Sequence, residues 1–117
     1  MIKRSDMPQI KPRLVSHFIE WLDEQNVRSD LVTVQAKILT PTQDEIHAYR
    51  VKEISEQKRI KKTLIISQDY MILDGHHHWK AVLDVDPEAE LRAYRIWLLM
   101  DRLIALAHLY PKVTYKI

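Results

Sequence analysis

The sequence contains no cysteine and only one glycine, and both shortages narrow its possible chemistry. Without a thiol the chain has no disulfide, no cysteine-ligated zinc and no cysteine nucleophile. No stretch reaches the roughly 20 consecutive apolar residues that a membrane helix needs, and the first residues lack the apolar run of a secretory signal. We therefore expect a cytoplasmic protein that has no membrane partner.

The composition is typical of an ordinary folded domain. The chain has 117 residues, of which 46% are hydrophobic and 29% charged, so we expect a single domain over residues 1–117. Its formal net charge of +2 does not by itself indicate a nucleic-acid binder. A local cluster of basic residues, however, is either a solvated face or a surface that attracts a polyanion. Such a cluster is formed by Arg50, Lys52, Lys58, Arg59, Lys61 and Lys62.

The spacing of apolar residues predicts a small α+β domain, a mixed sheet flanked by helices. Helices are expected over 12–26, 43–57, 76–85 and 101–110. Strands, which are richer in β-branched residues, are expected over 31–39, 63–66, 71–73 and 91–98, and the second and third are expected to form a tight hairpin. Thr42 and Glu45 form a capping-box pattern at the start of the second helix, and Asp101 is the expected N-cap of the last.

The single glycine, Gly75, lies between a predicted strand and a predicted helix. The first backbone N–H groups of a helix lack acceptors inside it, and the helix dipole adds partial positive charge there. Glycine lets a ligand approach the backbone, so phosphate is common at such a helix start. His76, His77 and His78 add ring donors that gain charge when protonated, and Lys80 adds a fixed charge. This run predicts a phosphate-binding site.

The same run has other interpretations, which the sequence leaves open. An Asp-Gly pair before a helix is often only a turn and a cap. Successive helical residues point about 100° apart, so three adjacent histidines do not readily ligate one metal ion. One or two of them, with an oxygen from Asp74 or Glu45, can do so. Trp79 is more typical of a core position than of a base-stacking platform.

Two segments of the chain are similar to conserved boxes of the ParB/sulfiredoxin superfamily. The run from Ile72 to Ala81 resembles the second box: a hydrophobic pair, Asp-Gly, His or Asn, His-Arg, an aromatic residue and then alanine. The run from Val34 to Ile46 resembles the first box, a strand, a proline-containing turn with Gln or Glu, and a helix. The resemblance covers 31–96, which leaves the helices at 12–26 and 101–110 as additions. It implies the superfamily's mixed sheet flanked by helices.

The resemblance also implies a nucleotide-phosphate pocket, with ATP or CTP as the expected ligand and Mg²⁺ as the expected cofactor. Gln43 and Glu45 would face the pocket from the first box, with Glu45 as general base or magnesium ligand. Asp74 would orient the site or share the magnesium. The phosphate contacts would be Gly75, His76, His77, His78 and Lys80. The catalytic residues would be Glu45, Asp74 and His77.

Three departures from the family pattern limit what can be transferred. His78 stands where the family usually has arginine, and histidine is neutral much of the time near neutral pH. We therefore expect phosphate binding that is weaker or pH-dependent. The absence of cysteine excludes the sulfinic-acid reductase activity of the sulfiredoxin branch. The chain is also short for the helix-turn-helix and dimerisation domains of a full partition protein.

The leading hypothesis is a domain that binds nucleotide or nucleic-acid phosphate and carries out magnesium-dependent phosphoryl transfer or phosphodiester or nucleotide hydrolysis, as a nuclease, NTPase or kinase. The alternative is a non-catalytic module of phage or plasmid origin that binds DNA or a host protein. Its contact surface would be Lys58, Arg59, Lys61 and Lys62. A third hypothesis keeps the fold without a ligand, and the sequence leaves open whether the chain forms homo-oligomers.

Overall fold

The computed structural model of the chain describes residues 1–44, 46, 51–52 and 62–115. Its α-helices in those ranges are Val15–Glu24 (α1), His76–Val85 (α2) and Met100–Ala107 (α3). Its β-strands there are Ser29–Gln35 (β1), Leu64–Ile66 (β2), Ile72–Asp74 (β3) and Glu90–Ile96 (β4). Within the described residues no helix is long and apolar enough to span a bilayer.

The four strands form one mixed sheet in the order β1-β4-β2-β3. Strand β4 pairs antiparallel with β1 and parallel with β2, and β2 pairs antiparallel with β3. The β2–β3 pair is the predicted tight hairpin, and Tyr70 in its turn takes a positive φ of 60°. The sheet and its helices confirm the predicted α+β class.

Each face of the sheet is covered by helices, and each has its own core. Helices α1 and α3 pack on one face, where Phe18 and Leu103 meet Ile65. Helix α2 packs on the other, where Trp79 meets Leu64 and the rest of β2. Because side chains alternate along a strand, neighbours in β2 enter opposite cores. This double burial explains why β2 appears in the sequence as a continuous apolar run rather than an alternating one.

Strand β1 is displaced from the predicted strand over 31–39. It ends at Gln35, and a 3-10 turn occupies Ala36–Ile38. The N–H groups of Ala36 and Lys37 donate to the carbonyls of Ala89 and Pro87, at 3.0 and 2.9 Å. The chain therefore turns because these long-range bonds replace the strand ladder, although the local residues favour extended backbone.

The predicted helix start at Gln43 is wrong. Gln43 instead forms a parallel β-bridge with Ile2, and the N–H of Asp44 donates to the Ile2 carbonyl at 2.9 Å. The Thr42 hydroxyl donates to the carbonyl of Ile72 at 2.6 Å, which ties this segment to β3. Most of the predicted helix over 43–57 lies outside the described residues, although residues 51 and 52 are helical.

Helix α3 begins at Met100, so the predicted N-cap role of Asp101 is wrong. The N–H of Met100 donates to the carboxylate of Asp69 at 3.1 Å. The hydroxyl of Ser67 donates to the same carboxylate and holds it in place. Asp101 lies in the first turn, where a negative charge favours the helix dipole. A loop distant in sequence therefore supplies the acceptor for this helix start.

Candidate functional site

Gly75 links β3 to α2 in a conformation that only glycine adopts easily. Its φ is 105°, in the left-handed region, and it is the N-cap residue of α2. A Cβ at this position would lie 2.8 and 2.9 Å from Cδ2 and Cγ of Leu64. Both the backbone and the packing against β2 therefore require glycine here, which accounts for the single glycine of the chain.

The start of α2 lacks a side-chain cap, because its N-cap residue is a glycine. The first intrahelical bond runs from the N–H of Trp79 to the carbonyl of Gly75, at 3.0 Å. By helix geometry, the N–H groups of residues 76–78 find their acceptors outside the helix. The predicted combination of strand, glycine and helix start is thus present, as the phosphate-site hypothesis requires.

His76 is buried, with 4% of its surface exposed, and connects the two boxes. Its Nε2 accepts the backbone N–H of Thr42 at 3.1 Å and lies 3.3 Å from the Thr42 hydroxyl. Burial is the main cause that lowers the pKa of His76 to about 3, with contributions from the nearby charges of His77 and Lys62. At neutral pH the ring therefore carries its proton on Nδ1 and is uncharged. The expectation that this ring gains charge is wrong for His76.

The next residues of α2 divide between the helix surface and the core. His77 and His78 are half-buried in its first turn. Trp79 is buried, and its Nε1 donates to the carbonyl of Ala36 at 2.8 Å, as suits a core residue. Lys80 forms an ion pair with Asp84, Nζ to Oδ1 2.8 Å, one turn further along the helix. The ammonium of Lys80 is therefore held on the helix surface by a partner away from the helix start.

Asp74 and Lys62 form an ion pair beside the helix start. Asp74 is the last residue of β3, and its Oδ2 lies 3.4 Å from Nζ of Lys62. Only 7% of the Asp74 side chain and 22% of the Lys62 side chain are exposed. Sequence reasoning placed Lys62 only in the alternative nucleic-acid surface and missed its position at Asp74. No sequence signal links the two, because the β2–β3 hairpin separates them.

The first box contacts the second through Thr42. Thr42 bonds to His76 and to the Ile72 carbonyl, and the adjacent Gln43 is buried. The pocket role of Gln43 is not tested by these contacts. Other residues with predicted roles lie outside the described ranges, namely Glu45, Lys58, Arg59 and Lys61.

The described residues alone do not fit the expected magnesium site. Among them, no group of three or more His, Asp or Glu side chains is placed to hold a metal ion. Asp74 is the only one of the two predicted ligands in the described ranges, and its Oδ2 faces the ammonium of Lys62. Magnesium usually takes an octahedral set of oxygens from carboxylates, waters and phosphates. Magnesium binding therefore stays a prediction that depends on Glu45.

Comparison with known proteins gives one structural likeness. No family model matches the chain, and no curated protein matches it. A solved structure described as a Pnob8-like ParB-N domain is similar, with a TM-score of 0.54 and 14% sequence identity. The match covers 70% of this chain, and it spans 35% of the length of the other chain. At this identity the likeness concerns the fold alone, and it confirms what the two sequence boxes implied: the chain has a ParB-like fold.

Proposed function

We propose that the turn from Asp74 to His78 binds the phosphate groups of a nucleotide or a nucleic acid. The observation that carries this proposal is the left-handed Gly75 at a helix start that has no side-chain cap. A cap residue would compete for the first N–H groups, whereas a glycine leaves room for a ligand oxygen to reach them. The ParB-like fold supports the proposal, because the ParB/sulfiredoxin resemblance implies a phosphate pocket at this glycine.

Charge supports the same location. A helix N-terminus carries roughly half a positive elementary charge, and the ammonium of Lys62 lies beside Asp74, the residue before Gly75. His77 and His78 in the first turn add charge on acidification. No arginine occupies the box, so we expect weaker binding than an arginine fork would give.

The proposed chemistry is phosphoryl transfer or hydrolysis at the bound phosphate. The helix N–H groups would orient the phosphate oxygens, and nearby cations would neutralise the charge that develops on them. Positioning and neutralisation supply most of the rate enhancement in such reactions. Glu45 would accept the proton of the attacking water or hydroxyl, with His77 and Asp74 as the other proposed catalytic groups.

The binding proposal is tested by calorimetric titration of ATP, CTP and a short single-stranded DNA, each with and without magnesium. We expect a nucleotide to bind and to raise the melting temperature, because a ligand that binds only the folded state stabilises it. His77→Ala should weaken binding. His108→Ala is the matched control, because His108 lies beyond α3 and its Nδ1 contacts the Tyr115 hydroxyl, 2.7 Å away.

His78→Arg offers a test by gain of function. It restores the arginine of the family box, and a charge-assisted fork should tighten nucleotide binding by about tenfold. Absence of binding by every nucleotide would overturn the proposal. Salt-sensitive DNA binding that is lost on changing Lys58, Arg59 and Lys61 would then favour the non-catalytic module. Nucleotide turnover that survives Glu45→Ala would refute the assignment of the base.

A further inference from the structure

The Lys62–Asp74 pair differs in its surroundings from surface ion pairs of the same chain. The side chains of Lys62 and Asp74 are 22% and 7% exposed, whereas those of Lys37 and Glu88 are 45% and 71% exposed. Removing two charges from water costs free energy that their attraction only partly returns. Stability alone therefore does not explain why this ion pair lies beside Gly75.

We propose that Lys62 supplies the fixed positive charge of the phosphate site, the role of the arginine that the family box has where this chain has His78. Asp74 is then the counter-ion that competes with phosphate for Lys62. This inference rests on the proposed phosphate binding at Gly75. An arriving phosphate binds the ammonium of Lys62 and displaces or shares the Asp74 carboxylate. Because Asp74 carries the same sign of charge as the ligand, it lowers phosphate affinity.

The position of Lys62 follows from the packing of the segment that enters β2. Leu64, two residues after Lys62, meets the backbone of Gly75 so closely that a Cβ there would lie 2.8 Å from its Cδ2. Asp74, the partner of Lys62, directly precedes Gly75 in the chain. The charge of Lys62 also contributes to lowering the pKa of His76, the first residue of α2. These contacts place the ammonium next to the helix start.

Lys80, the cation that the sequence suggested, is less suited to this role. Its Nζ lies 2.8 Å from Oδ1 of Asp84, an exposed i,i+4 pair on the surface of α2. Surface pairs of this type contribute little to stability and leave the lysine well hydrated. Lys112→Gln is the matched control, since it removes one exposed lysine charge beyond α3, on the opposite face of the sheet from α2.

As a counter-ion, Asp74 lowers the affinity for phosphate, whereas as a magnesium ligand it would raise that affinity when magnesium is present. If Asp74 is a counter-ion, Asp74→Asn removes a repulsive charge and phosphate binds more tightly in the absence of magnesium. If Asp74 is a metal ligand, the same substitution weakens magnesium-dependent binding and leaves metal-free binding unchanged. One variant therefore separates the two roles.

The test is calorimetric titration of the full chain with inorganic pyrophosphate and with CTP, in EDTA and then in magnesium. Lys62→Gln should weaken binding about 10-fold to 100-fold, the loss expected for a hydrogen bond to a charged group. Lys62→Arg should bind within about threefold of the native chain, because it keeps the charge. Lys112→Gln should stay within about twofold. Asp74→Asn should tighten binding in EDTA by about tenfold.

Removing one partner of a buried pair strands the other and can unfold the chain. The double variant Lys62→Gln with Asp74→Asn leaves no stranded charge, and is compared with Asp74→Asn alone. We expect the double variant to bind pyrophosphate about 10-fold more weakly. Equal affinities would overturn the role of Lys62.

The remaining outcomes separate this inference from the proposed function. Binding by the native chain that Lys62→Gln leaves unchanged would refute the inference while phosphate binding stands. Failure of the native chain to bind pyrophosphate, CTP, ATP or DNA would overturn both. Loss of magnesium-dependent binding alone in Asp74→Asn would identify a metal ligand and overturn the counter-ion role.

Discussion

Mild acid should destabilise the folded chain through His76, because the folded structure holds this ring in its neutral form. Burial lowers the pKa of His76 from 6.5 to about 3, and its Nε2 is occupied as acceptor of the Thr42 N–H. In the unfolded chain the ring titrates normally. Between pH 6.5 and pH 3 the unfolded chain therefore binds a proton that the folded chain does not.

The sign and size of the effect follow from this difference. The stabilisation from a neutral His76 is fully present above about pH 6.5, and it falls as the pH drops towards 3. One pKa unit corresponds to about 1.4 kcal/mol, so the contribution lost by pH 5 is about 2 kcal/mol. That loss depends little on the exact folded-state pKa, provided that it lies below 5.

Urea denaturation at pH 7 and pH 5, followed by circular dichroism, measures this loss in the native chain and in His76→Gln. A glutamine side-chain oxygen can accept the Thr42 N–H but has no proton to gain. We expect the native chain to lose about 2 kcal/mol more than His76→Gln between these pH values. His108→Gln serves as the control and should lose as much as the native chain. Equal losses in the native chain and His76→Gln would refute the buried neutral ring.

Three further substitutions test the structure around the site by urea denaturation. Gly75→Ala should lower the free energy of unfolding by about 2–4 kcal/mol, because it forces a side chain into left-handed backbone and against Leu64. Trp79→Phe should cost about 1–3 kcal/mol, because it strands the buried carbonyl that accepts the indole N–H. Asp69→Ala should cost about 1 kcal/mol, because it removes the acceptor at the start of α3.

Each of these substitutions has an outcome that contradicts its reasoning. Full stability of Gly75→Ala would mean that the turn accepts a β-carbon and that its glycine has another purpose. An unchanged midpoint for Trp79→Phe would show that the indole bond contributes nothing. An Asp101→Ala loss larger than that of Asp69→Ala would restore Asp101 as the cap of α3.

The elements around Gly75 could be predicted because their signals are local. A glycine between an apolar run and an amphipathic run predicts a strand end and a helix start, and α2 occupies the predicted residues 76–85. The same holds for the β2–β3 hairpin, whose turn residues lie between two short apolar runs. The two boxes also predicted the ParB-like fold, which the structural likeness confirms.

The errors arise where distant residues decide the local structure. Gln43 forms a bridge because Ile2 lies beside it, and a sequence window around position 43 does not contain Ile2. Helix α3 begins one residue early because Asp69 accepts the first N–H. The most consequential omission is Lys62, which a charge run assigned to a surface but which folding brings to Asp74. A charge run groups residues that are close in sequence, whereas the residues of a site are those that lie close together after folding.

The central claim, that phosphate binds at the start of α2, is tested most directly by ¹H–¹⁵N correlation spectra recorded during titration with inorganic pyrophosphate. A phosphate oxygen that accepts backbone N–H bonds shifts those amide protons downfield. We predict the largest, saturable shifts at the amides of Gly75, His76, His77 and His78, with little change at the amide of Gln25, at the end of α1 on the opposite face of the sheet. Saturable shifts centred elsewhere, or none at these four amides, would contradict the account.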